Sequence, residues 1–155
     1  MHPLLAVSTA SEYAYRAALG LARHHHASGK ECQVSVENTN HVARLHWSPG
    51  LPKSDERLDF QRVTEDAAEA ISLALVSVAR NWVVRRRLQR GEFADWLLVD
   101  DEKRAVALEV SGIDKVDVGM RRLHEKTEQV RKSTAAIRAA CVVELLPPRT
   151  RLVIG

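Results

Sequence analysis

Aromatic residues make up only 5% of this 155-residue chain, and cysteine occurs twice. No apolar run approaches the ~20 residues of a bilayer-spanning helix. Each shortage excludes something. Cys32 and Cys141 lie far apart without CxxC spacing, which argues against a zinc centre or a disulfide framework and sets a reducing, cytoplasmic location as the expectation. The opening MHPLLAVSTAS is too short and uncharged for a secretory signal, and no membrane association is expected. With so few aromatics, Trp47, Trp82 and Trp96 read as core anchors before base-stacking platforms. Gly112 and Gly119 make neither a Walker loop nor a dinucleotide pattern, and nothing resembles a helix-turn-helix or zinc finger.

What is present suits one compact domain, 1–155. Apolar residues make up 45% of the chain, enough for a single core. The formal charge of +3 and pI near 9.1 permit a polyanionic partner without demanding one. The basic residues are clustered: Arg85, Arg86, Arg87 and Arg90, then Arg121, Arg122, Lys126, Arg131 and Lys132, then Arg149 and Arg151. A stretch rich in proline and charge, 48–59, separates an N-terminal extension, 1–47, from a main body, 60–155.

In the extension, Thr9-Ala10-Ser11-Glu12 reads as a capping box opening a helix that Gly29 would stop. CQVSVE and HVARLHW, joined by Asn38-Thr39-Asn40, read as a β-hairpin. In the main body, Thr64 is the expected N-cap of a largely buried helix through EDAAEAISLALVSVAR. NWVVRRRL reads as a strand, with a continued helix to Gln89 as the competing reading. ADWLLVD and AVALEVS are strands joined by a charged turn, Asp101 to Arg104. A helix from Gly119 to Ser133 has Met120, Leu123, Thr127 and Val130 as its inner stripe. CVVELL, stopped by Pro147-Pro148, is a strand, and RLVI is a candidate for another.

The chemistry lies in the 95–111 hairpin. If its turn centres on Glu102, Asp95 and Glu109, each seven residues away, face each other. Like charges directly opposed in a sheet cost up to about 1 kcal/mol. Burial among Leu97, Val99 and Leu108 would raise that cost. A divalent cation between them is the simplest resolution, and it is what metal-dependent phosphodiester cleavage uses.

GEFADWLLVDDEKRAVALEVSG resembles the signature of the PD-(D/E)XK superfamily, the restriction-endonuclease-like nucleases, in which an Asp begins one strand and a Glu-x-Lys ends its neighbour. The resemblance covers roughly 64–146. It implies an α/β fold, a restriction-endonuclease-like αβββαβ core with a mixed central sheet, to which the N-terminal helix and hairpin are added. It further implies Asp95 and Glu109 as ligands of Mg²⁺ (or Mn²⁺), the Val110 carbonyl as a third, and a helix carboxylate, Glu69 first and Glu65 second. Arg122, Lys126 and Gln129 form one stripe on the second helix, from which some branches lend a Lys or Gln. The motif lysine is replaced by Ser111, and a hydroxyl cannot supply a cation. Either its role passes to Lys126, with Lys115 behind it, or the chain binds without cutting.

Other groups carry less. His24-His25-His26 point in different directions on a helix and cannot converge on one ion. Cys141 reads as core, and Asp100-Asp101 as turn chemistry. The expected function is a Mg²⁺-dependent nuclease with Arg85, Arg86, Arg87 and Arg122 on phosphates, acting on DNA before RNA, with a homodimer mate or protein partner. The alternative is a non-catalytic nuclease-like module that binds nucleic acid or scaffolds a larger complex.

Overall fold

The structure, a computed structural model, describes residues 7–47, 59–116 and 118–155. The stretch expected as a linker lies outside them, except for Asp59. The described elements run α1 (Val7–Arg23), β1 (Lys30–Val36), β2 (Thr39–Leu45), α2 (Phe60–Arg80), β3 (Val83–Arg87), β4 (Trp96–Val99), β5 (Ala105–Ile113), α3 (Gly119–Val130), β6 (Ile137–Leu145) and β7 (Pro148–Ile154). The seven strands form one mixed sheet in the order β2-β1-β7-β6-β5-β4-β3. Neighbours are antiparallel except β1 with β7 and β5 with β6. The chain is therefore an α/β protein, and the N-terminal hairpin extends the main sheet.

Alternation along the strands divides the core in two. Val106, Leu108 and Val110 of β5 pack with Trp96, Leu98, Cys141 and Val143 beneath α1 and α2. Ala107 and Ile113, with Ala140 and Val142, pack on the opposite face beneath Leu123 and Val130 of α3. Glu109, in step with Ala107 and Ile113, thus faces α3. Both free cysteines are buried, and burial pushes the Cys141 thiol up to about 12. Trp82 and Trp96 are core residues as expected, and Trp47 packs at the margin.

Several boundaries differ from the sequence reading, each for a local reason. α1 begins at Val7, so Thr9 and Glu12 lie inside it, and Glu12 instead pairs with Arg16 one turn on. The helix ends at Arg23, well before Gly29, because His25 takes a left-handed conformation (φ 59°). α2 begins at Phe60 with Asp59 as its N-cap, whose carboxylate accepts from the Gln61 amide at 3.0 Å. Thr64 is one turn inside and bonds back to the Phe60 carbonyl. Asn81, left-handed at φ 54°, terminates α2, and β3 follows as a strand. α3 stops at Val130, and Met120 of its expected inner stripe is 64% exposed. Arg151 is not a solvated basic residue: it pairs with buried Glu144 on the neighbouring strand, beneath Gly119.

α2 approaches β5 so closely that a Cβ at Gly112 would lie 2.4 Å from the Thr64 carbonyl oxygen. Gly112→Ala is expected to destabilise the fold by about 1–3 kcal/mol, lowering the thermal midpoint by roughly 2–12 °C. An unchanged midpoint would mean that α2 is not seated against β5 at this point.

Candidate active site

The β4–β5 register is the one the turn at Glu102 implies. Trp96 pairs with Leu108 and Leu97 with Ala107, which brings Asp95, one residue before β4, opposite Glu109. The Asp95 amide donates to the Leu108 carbonyl at 3.1 Å, and the Val110 amide donates to the Asp95 carboxylate at 2.8 Å. Asp95 is half-buried, whereas Glu109 is 1% exposed.

α3 supplies the countercharge. One Glu109 oxygen, Oε1, accepts from the Lys126 ammonium, which also donates to Gln129 Oε1 at 3.2 Å. The other, Oε2, is buried and receives no hydrogen bond. Its carboxylate neighbour Asp95 cannot donate to it while both are ionised. Burial first, then the charge of Asp95, pushes Glu109 up to about 7 against an ordinary 4.5, with Lys126 opposing. A positive centre or a proton between the two acids would relieve that strain.

Of the sequence candidates, Asp95, Glu109, Lys126 and Gln129 come together on one side of the sheet. Ser111 follows Glu109 on the same face, half-buried and without a cation of its own. For Val110 it is the amide that contacts the site. Glu69 lies on α2 with both oxygens engaged: Oε1 accepts from Arg87 at 2.7 Å and Oε2 from the Tyr13 hydroxyl at 2.8 Å. Burial raises its pKa, and Asp95 is close enough to add to that. Glu65, the second choice, is exposed and bonded to Gln61. Among the described residues, no group of three or more His, Cys, Asp or Glu side chains is gathered as a ready metal cage.

Most of the expected phosphate-binding arginines are paired. Arg86 makes two hydrogen bonds to Glu92, which holds that carboxyl down at about 2. Arg87 is shared between Glu69 and Tyr13 and lies over Trp96, 5.7 Å from the ring centre. Arg122 meets Glu125 at 3.1 Å. Arg85 is exposed. In the histidine run, His24 bonds Asp114 and His26 the Leu145 carbonyl, both at 2.8 Å, while His25 closes the helix.

The sequence reading missed Tyr13 and the Thr64–Asp114–His24 network. In the latter, Asp114 accepts from Thr64, bonds His24 at 2.8 Å and lies 3.6 Å from Arg23. These contacts join elements distant in sequence, and no local pattern announces them. No family model matches the chain, and neither a curated protein nor a solved structure does.

The raised Glu109 pKa gives a stability signature. Between pH 4.5 and about 7 the unfolded chain releases this proton while the native protein retains it, so unfolding free energy falls as pH rises. The loss should be on the order of 1–3 kcal/mol. Glu109→Gln is expected to flatten the profile over that range and to be the more stable protein at pH 8. Parallel denaturant profiles for the two proteins would contradict the assignment.

Proposed function

We propose that this chain is a metal-dependent nuclease of restriction-endonuclease-like type that hydrolyses phosphodiester bonds in nucleic acid, DNA ahead of RNA. One observation carries the reading: a buried glutamate beside an aspartate, with one oxygen held by lysine and the other given no donor. The consecutive run α2, β3, β4, β5, α3, β6 supports the family, because it has the αβββαβ order that the resemblance implies. So does the sheet, in which β3, β4 and β5 form an antiparallel meander and β6 returns parallel to β5 after α3.

The donor set suits Mg²⁺ better than zinc. Hard cations take one or two carboxylates and complete their shell with water and substrate oxygens, whereas zinc prefers thiolate and imidazole. Asp95 and the unpartnered Glu109 oxygen would hold the ion, which would activate water and offset charge on the phosphate. The Val110 amide fixes the Asp95 carboxylate, and Gln129 fixes Lys126. Lys126 holds a fixed cation beside the acids, the role a motif lysine would have at position 111. Its position on α3 supports a transfer of that role from residue 111 to Lys126.

A second reading, the non-catalytic module, draws on the same contact: Lys126 already neutralises part of Glu109, and only two carboxylates converge. Cleavage assays separate the two. Of labelled single- and double-stranded DNA, the single strand at least should be cut in Mg²⁺ or Mn²⁺ and left intact in EDTA. Asp95→Ala and Glu109→Ala are expected to lower the rate roughly 10²-fold or more, and Lys126→Ala by a comparable factor. Salt-sensitive binding unaffected by the three changes, with no cutting in either metal, would favour the module.

A further inference from the structure

At the C-terminal end of β5, between the first turns of α2 and α3, lies a cleft of about 430 Å³. Among the described residues its polar walls include Gln61 and Glu65 of α2, Ser111 of β5, and Lys115, Arg121 and Arg122 at the entry to α3. Asp114 also borders it, but its carboxylate is engaged by Thr64 and His24. Arg121 and Arg122 both lean on Glu125, at 3.6 and 3.1 Å, in solvent-exposed pairs of the kind that contribute little and exchange readily for phosphate. Lys115 is exposed and makes no ion pair among the described residues.

The cleft continues from the carboxylate pair. Ser111 is two residues beyond Glu109 on the same strand face, ~7 Å along β5. Arg122 is four residues before Lys126 on α3, ~6 Å along its axis. Strand and helix therefore lead in step from Asp95 and Glu109 into the cleft. Its volume falls at the lower end of the ~300–1,000 Å³ range of small-ligand pockets, so it suits a single nucleotide. A paired nucleotide cannot enter without first being unstacked and unpaired, at a cost of a few kcal/mol.

We propose that this cleft receives one nucleotide of a single strand, adjacent to the phosphate held at Asp95 and Glu109. Lys115, Arg121 and Arg122 take its phosphate, while Gln61 and Glu65, bonded to each other at 3.1 Å, keep a second amide N–H and a second carboxylate oxygen for the base edge. Adjacency to that phosphate rests on the nuclease reading; the single-strand preference does not. A nucleic acid is thus admitted where it is unpaired: at a frayed end, a flap or a gap.

Fluorescence anisotropy in EDTA, where the metal needed for cutting is removed, tests this with the wild-type chain. The probes are a labelled oligodeoxynucleotide of about 12 nucleotides and its blunt duplex. The single strand is expected to bind about tenfold more tightly than the duplex. The Lys115→Ala/Arg121→Ala double variant should weaken single-strand binding by about tenfold and reduce the slope of log K against log salt by about 0.7, the value for one phosphate contact on a single strand. Duplex binding should barely change, and Arg44→Ala on the distant hairpin should have no effect on either probe. Equal affinity for the two probes, or single-strand binding indifferent to the double variant, overturns the proposal. Metal-dependent cutting alongside such indifference would remove the cleft and keep the nuclease. Cleft-dependent binding with no cutting in Mg²⁺ would keep the cleft and remove the nuclease.

Discussion

The arrangement depends on the register of one hairpin. Side chains alternate along a strand, so a slip of one residue between β4 and β5 would carry Glu109 away from Asp95. The observed pairing of Trp96 with Leu108 prevents this by committing two large side chains to the α1–α2 face. Apolar burial thereby fixes a polar juxtaposition on the opposite face. The electrostatic cost of opposing two acids there is carried by packing that they do not take part in.

The parallel return from β5 to β6 explains why Lys126 arrives from a helix. Parallel neighbours need a crossover, and α3 is that crossover, laid over the face that Glu109 occupies. A lysine on its inner surface reaches Glu109 without occupying a strand position. On the other face, Tyr13, Glu69, Arg87 and Trp96 tie α1, α2, β3 and β4 together through hydrogen bonds and ring contacts. The N-terminal helix is thus joined to the same edge of the sheet that carries Asp95.

Much of this was legible in the sequence because it is local. The β4–β5 hairpin follows from alternating apolar residues around a charged turn. The α3 stripe of Arg122, Lys126 and Gln129 follows from helical spacing, and Ser111 directed attention to Lys126 as its replacement. Helix starts were less legible, because Thr64 and Thr9 look like caps while Asp59 and a segment before Thr9 begin the helices. Tertiary choices were not legible at all. Glu69 has a suitable position for a ligand, yet Tyr13, 56 residues away, and Arg87 occupy its oxygens. The cleft is assembled from three separate segments and has no linear signature.

Asp95 and Glu109 are proposed to form together a seat for one hard divalent cation. Titration of the protein with Mn²⁺, followed by its electron paramagnetic resonance signal, measures this without any substrate. One bound ion per chain is expected in wild type, competed by Mg²⁺, with loss of that ion in both Asp95→Asn and Glu109→Gln. Wild-type protein that leaves the Mn²⁺ signal free, or binding that survives both substitutions, would contradict it.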